Sequence, residues 1–381
     1  MTKDKPDHAS ALLINALRFP DTLPGLSLDD WDLLLRIARA KRLLGRLSAD
    51  LDRLGLLHAI PTGAVNQLRA AHNLVQHRQT VLTWELDRVL WALDGLDVPV
   101  VALKGTAYVI AGLPPAAGRF FADLDLLVPF SRIAEVEQRL LERGWLKLRL
   151  SPYDDRYYRL WMHEIPPLRH RERESEIDMH HALLPRTSRF GSRLDATWLL
   201  ERSRAVAGSA AHILGAHDMV LHSLVHLFLE GDPHEGLRLR DLVDATDLLC
   251  YFGSEPGFWE DLVPRAKQLR LGRPLYYGLR YARSLCAVEI PAVVLQTAMQ
   301  DAPRMPVRWL MDWLVPLALL PEHPDHPRRR AALARWLLYL RAHWLRMPPV
   351  LLVRHLGYKT WLRMRGVRQS ISVTPQDLQQ L

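Results

Sequence analysis

Asp123-Leu124-Asp125-Leu126-Leu127-Val128 is the stretch on which the fold turns. Carboxylates alternate with leucines through its first four positions, the period of two that belongs to a β-strand. On a strand, the i, i+2 spacing sets Asp123 and Asp125 on one face while Leu124 and Leu126 enter the opposite layer. Two carboxylates so close repel one another unless a divalent cation lies between them. Upstream, Val98-Pro99-Val100-Val101-Ala102-Leu103 is a β-branched apolar run of strand length. It leads through Lys104-Gly105-Thr106 into a short helix ending at Ala111 and a Gly/Pro-rich loop over 112–118.

Downstream, Ser131 to Arg143 reads as an amphipathic helix closed by Gly144. Strand-like segments over Trp145–Leu150, Glu164–Arg169 and Ser175–His181 complete a strand–helix–strand–helix–strands order, which predicts an α+β core with a mixed sheet. Helical regions flank it on both sides. Ser27, with Asp30 three residues on, predicts a capped helix whose apolar face runs through Trp31, Leu34, Leu35, Ala38, Leu43, Leu47, Leu51 and Leu54 to a stop near Gly55. A second helix is expected from Ala64 to Leu93, and helices return from about Asp195, most clearly over 216–229 and 237–252. The expected division is a helical region over 1–95, a core over 96–204, and a C-terminal helical region over 205–381 that ends in a polar tail beyond Thr374.

Asp178 sits in Glu176-Ile177-Asp178-Met179-His180, again alternating. Paired beside the first strand, it would close a cage of three carboxylates suited to hard Mg²⁺, which prefers oxygen ligands and keeps positions for phosphate and water. At the turn after the first strand, Gly105 lets the backbone approach a phosphate, Thr106 adds a hydroxyl and Lys104 a positive charge. A phosphate cradle, a paired-carboxylate strand and a third carboxylate are what two-metal nucleotidyl transfer requires. His180 and His181 directly follow Asp178, and one of them could reach the same site.

The ordered set Leu103-Lys104-Gly105-Thr106, Arg119, Asp123-Leu124-Asp125-Leu126-Leu127-Val128 and Ile177-Asp178-Met179-His180 resembles the uncharacterised bacterial nucleotidyltransferases of the polymerase-β-like superfamily. Leu239-Arg240-Asp241-Leu242-Val243-Asp244 looks like that family's helical region, and the resemblance spans roughly 60–260. It implies the superfamily fold and a reaction of an NTP, ATP by default, assisted by two Mg²⁺ ions. It also implies Asp123, Asp125 and Asp178 as metal ligands, with Lys104, Gly105, Thr106 and Arg119 toward the phosphates. Two departures stand out: the usual Gly-Ser or Gly-Gly pair is Gly105-Thr106, and the gap from there to Asp123 is long. The acceptor is left open among a small molecule, a peptide, a protein and an RNA. A non-catalytic nucleotide-binding adaptor and a toxin-like transferase acting on tRNA are the alternative functions.

Each residue has a plainer reading as well. Asp123 and Asp125 could be solvated at a strand end, Asp178 could answer Arg169, Arg171 and Arg173, and Arg119 could pair with Asp123. His222 and His226, one helical turn apart, lack the glutamate of a zinc-protease helix and are expected to pack. Asp241 and Asp244, with Arg238 and Arg240 beside them, are expected on a helix surface or in interdomain salt bridges, and the family resemblance offers the nucleotide pocket as the alternative.

The formal charge is +8, yet eleven Lys/Arg and no Asp or Glu lie between Arg328 and Arg368, so the basic character is local. Arginines mixed with Trp336, Tyr339, Trp344, Tyr358 and Trp361 fit an anionic partner, either nucleic acid or a membrane surface. They fit equally a helical subdomain with solvated arginines and tryptophans in its core. Two cysteines, Cys250 and Cys286, cannot build a disulfide framework or a zinc finger. With no transmembrane run and no signal peptide in view, a cytoplasmic protein is expected.

Overall fold

The alternating stretch becomes the middle of a sheet. Val101–Ala102 (β1), Leu124–Leu127 (β2), Trp145–Lys147 (β3), Leu168–His170 (β4), Glu176–His180 (β5), Arg204–Ala205 (β6) and His212–Ile213 (β7) assemble in the order β3-β4-β5-β2-β1-β7-β6. β2 runs parallel to β5 and antiparallel to β1, while β1 runs parallel to β7. The outer pairs β3–β4, β4–β5 and β6–β7 are antiparallel. The mixed sheet of an α+β protein is therefore present. The β6–β7 hairpin was not expected, because only helices were read beyond Asp195. Each of its strands is two residues long, too short to show a period.

The computed structural model describes residues 8–121, 123–148, 150–173, 175–189, 196–229 and 237–364. The polar tail beyond Thr374 lies outside them, as do Arg365 and Arg368 of the basic stretch. The chain divides into two compact units, each drawn from three stretches: Met1–Val81, Gly112–Phe121 and Val220–Leu340 in one, Leu82–Ala111, Ala122–Met219 and Arg341–Leu381 in the other.

The second unit holds the sheet. All four residues of β2 are buried, as a strand covered on both faces requires. The helix Lys104–Ile110 packs on β2, and the helix Ile133–Glu142 buries Ile133, Val136 and Leu140. The end of the long helix Thr62–Leu93 adds Leu86, Val89 and Leu93 to this unit's core, along with Glu85, which pairs with Arg173 at 2.8 Å. A helix at Pro152–Trp161 falls where no element was expected. Its signal was local: Ser151 caps it by accepting the Asp154 N–H at 3.1 Å, and Pro152 takes the first turn. Later chain returns to this region. Thr187 Oγ1 donates to the Arg346 carbonyl at 2.8 Å, the Arg189 N–H donates to the Leu345 carbonyl at 3.1 Å, and the Tyr153 and Tyr358 rings lie 4.3 Å apart.

The first unit is helical, with Trp31, Leu34, Ile37, Leu47, Leu51, Leu68, Leu242, Leu248 and Tyr277 in its core. Ser27 caps a helix as expected, accepting the Asp30 N–H at 3.1 Å. The single helix expected to run to Gly55 is two, Leu28–Ala40 and Leu44–Arg53. Arg42 turns the chain with a left-handed φ of 58°. The reason shows in the apolar series, which slips phase by one residue between Ala38 and Leu43. In the loop that follows the helix Lys104–Ile110, the turn Pro114–Ala116 packs on the helix Leu239–Phe252. Gly118, at φ 76°, meets Gly45 backbone to backbone, so closely that a Cβ on either would collide with the other's carbonyl oxygen.

Candidate active site

Parallel pairing of β2 with β5 puts Asp125 directly beside Asp178, with Leu127 beside His180. Residues in register share a face, and so do residues two apart, so Asp125, Asp178 and His180 stand together while Leu124, Leu126, Ile177 and Met179 are buried behind them. Asp123 is exposed immediately before β2. On the other side of β2, the Leu103 N–H donates to the Asp125 carbonyl at 2.9 Å, tying the end of β1 to the carboxylate strand. The chain then turns at Lys104, whose φ of 44° is left-handed. That turn brings the Lys104 ammonium 3.0 Å from Asp125 Oδ1, and His180 Nε2 meets the same oxygen at 3.0 Å.

One further carboxylate joins them. The chain leading into β4 runs antiparallel beside β5, with Glu164 bridged to His180, the Ile165 N–H donating to the Met179 carbonyl at 3.1 Å, and the His181 N–H donating to the His163 carbonyl at 2.8 Å. Glu164 Oε2 thereby comes 3.6 Å from His180 Nδ1. Glu164 had been read only as the start of a strand, which begins instead at Leu168. Of the two histidines after Asp178, His180 is the one that reaches the site. His163 was not singled out at all.

The charges respond to this crowding. Burial pushes the Asp178 carboxyl well above the ordinary carboxylate range, and the neighbouring charges of Glu164, Asp125 and Asp123 add to the rise. Burial alone would raise Asp125 too, but the Lys104 charge and the His180 hydrogen bond outweigh it and hold Asp125 below the ordinary range. Burial also raises the Tyr158 phenol, reinforced by Glu164 and Asp178. Four carboxylates around Lys104 and His180 make a place where an added cation is electrostatically favoured.

Gly105 and Thr106 are buried in the first turn of the helix Lys104–Ile110. Thr106 is 0% exposed, and its hydroxyl finds no hydrogen-bond partner among the described residues. The left-handed position at this turn falls on Lys104, not on Gly105. Arg119 belongs to the helical unit, where its guanidinium meets Asp241 at 3.3 Å and also Asp244, under the Phe121 ring. Asp241 and Asp244 are buried, not on a helix surface, because the loop over 112–121 covers their helix. His226 Nε2 lies 3.6 Å from Asp241, so this histidine makes a polar contact with a buried carboxylate.

Trp336, Trp344 and Trp361 are exposed, so the reading that buries them in a core is corrected. They lie on or beside the helices Arg329–Arg346 and Pro349–Met364. Among the described residues no helix is long and apolar enough to cross a membrane.

No curated protein and no solved structure matches this chain. A family model described as uncharacterised nucleotidyltransferase matches residues 27–287, which takes in β1 to β7, the carboxylates and the helix carrying Asp241 and Asp244. The chain belongs to this uncharacterised nucleotidyltransferase family.

Proposed function

We propose that this chain transfers a nucleoside monophosphate from an NTP, ATP by default, to an acceptor hydroxyl or phosphate, with a polymerase-β-like core over 96–204. The acceptor oxygen would form its bond to the α-phosphorus as the bond to the pyrophosphate leaving group breaks. The observation that carries the reading is the parallel register of Asp125 with Asp178, with Lys104 drawn to the Asp125 carboxylate.

The donor set fits Mg²⁺, since Asp123, Asp125 and Asp178 offer oxygens alone and an added cation would return Asp178 to its ionised form. Mg²⁺ held by these three, as two ions in the two-metal scheme, would supply charge compensation for the phosphates and a more acidic acceptor hydroxyl. Lys104 is the phosphate-facing cation in this reading and exchanges part of its interaction with Asp125 for the incoming NTP. Gly105 and the unsatisfied Thr106 hydroxyl give that turn a reason to rearrange around a phosphate. Arg119 enters as a phosphate ligand only if it exchanges Asp241 or Asp244 for one. Exposed Trp336 and Trp344, with Arg328, Arg329 and Arg330 exposed nearby in sequence, favour an acceptor or partner rich in phosphate.

Calorimetry with ATP, GTP, CTP and UTP, each with and without Mg²⁺, tests the assignment. We expect Mg²⁺-dependent binding of one NTP by the wild type and none by Asp123→Ala/Asp125→Ala. Absence of binding for all four at millimolar concentration would overturn this reading and leave an adaptor that works through its helical regions without a nucleotide.

A further inference from the structure

Next to the oxygen-only cluster, a second set of donors of different chemistry converges. His163, Glu164 and His180 each place one ligating atom within 4.8 Å of the other two. Backbone pairing to the end of β5 fixes this geometry, and the His163 and His180 rings lie 5.2 Å apart.

His180 supplies the decisive detail. It is 1% exposed. Its Nε2 faces Asp125 Oδ1 at 3.0 Å, and an ionised carboxylate only accepts, so Nε2 is committed to that contact as donor. Nδ1 points the other way. Among the described residues that atom makes no hydrogen bond, and it faces Glu164 Oε2 at 3.6 Å. An imidazole nitrogen and a carboxylate oxygen so placed in a buried site need a positive charge between them, and a shared metal ion supplies it. Their separation is what two donors show when each lies about 2.0–2.2 Å from one ion at a near-tetrahedral angle. His163 Nε2 lies 4.0 Å from the same Glu164 oxygen, within reach of that ion after a small side-chain adjustment. Asp125 on the far nitrogen completes the arrangement in which a carboxylate orients a metal-ligating imidazole and fixes its tautomer.

We propose that His163, Glu164 and His180 form a site for a divalent transition metal, Zn²⁺ foremost, separate from the Mg²⁺ ligands and joined to them through Asp125. Two imidazoles with one carboxylate favour an ion that accepts nitrogen, and disfavour Mg²⁺, which binds oxygen and sheds water reluctantly. The site neutralises Glu164 beside Asp178 and pins the His180 ring that holds Asp125. This goes beyond the nucleotide reading and does not depend on it.

The test uses the full chain, stripped with a chelator and titrated with Zn²⁺ against a chromophoric competitor, then with Co²⁺ for its visible d–d absorption. We expect one Zn²⁺ per chain, undisturbed by excess Mg²⁺, and a Co²⁺ spectrum of a low-coordinate nitrogen–oxygen site. Glu164→Gln, which keeps the side chain's shape, and His163→Ala should each weaken Zn²⁺ binding by about tenfold or more, while Asp123→Ala leaves it unchanged. Circular dichroism on each variant separates loss of the ion from loss of the fold. The proposal is overturned if the wild type takes up no stoichiometric Zn²⁺, or if Glu164→Gln and His163→Ala, both folded, bind it as well as the wild type does. It is equally overturned if nitrogen NMR in the presence of Zn²⁺ finds protons on both His180 nitrogens, the signature of an imidazolium bridging Asp125 and Glu164. NTP binding without Zn²⁺ uptake would sink this site and leave the proposed function standing. Zn²⁺ uptake without NTP binding would do the reverse.

Discussion

Lys104 holds its ammonium on Asp125 by means of a backbone that L-residues avoid. A left-handed conformation costs a residue with a Cβ about 1–2 kcal/mol relative to the right-handed one, and glycine escapes most of that. Lys104→Gly and Lys104→Ala both delete the ammonium and differ chiefly in this term. The glycine variant should therefore be more stable in urea unfolding by about 1 kcal/mol. Equal stability of the two would mean that the turn relaxes once the lysine is gone. This feature could not be read in advance, because lysine carries no signal of a left-handed turn and the adjacent Gly105 invites it instead. The juxtaposition of Asp125 with Asp178 was legible for the opposite reason: a period of two is local, and it states which residues share a face, although Asp123 falls just outside the strand. Glu164 and His163 arrive through pairing of distant segments, which nothing in their neighbouring residues announces.

At the scale of elements, the loop over 112–121 is held by close packing and by charge within one unit. Gly118 touches Gly45, and Arg119 is bound to Asp241 and Asp244. Gly118→Ala combines a disfavoured φ with a collision against backbone that has no side chain to move aside, so a loss of about 2–3 kcal/mol is expected in urea unfolding. A loss below about 0.5 kcal/mol would mean that the loop is not clamped there. The length of this loop was visible in the sequence, whereas its partner was not: Gly45 lies far upstream, and nothing marks it as a contact. Periodicity also has a limit within single elements. The helix ending at Ala40 and the one starting at Leu44 share enough apolar spacing to read as one until the slip at Leu43 is weighed. The helix Pro152–Trp161 buries none of its residues fully and so offers no clean apolar stripe, although its cap was there to be read.

At the scale of the molecule, the unit bearing the sheet is not one continuous stretch. It includes Leu82–Ala111 and Arg341–Leu381 as well as Ala122–Met219. A fragment of residues 96–204 would lose Leu86, Val89 and Leu93 from the core, the Glu85 partner of Arg173, and the β7 neighbour of β1. Such a fragment should show no cooperative thermal transition and should bind a hydrophobic dye, whereas the full chain melts in a defined transition. A cooperative melt of the fragment would show that the later and earlier stretches are dispensable. The same discontinuity sets a timetable during synthesis. Thr187, Arg189 and Tyr153 meet partners at Arg346, Leu345 and Tyr358, and the ribosome reaches those only after more than 150 further residues. At roughly 5–20 residues per second, the nascent chain waits on the order of ten seconds before these contacts can form, an interval in which a chaperone and a neighbouring polypeptide compete for the same surfaces.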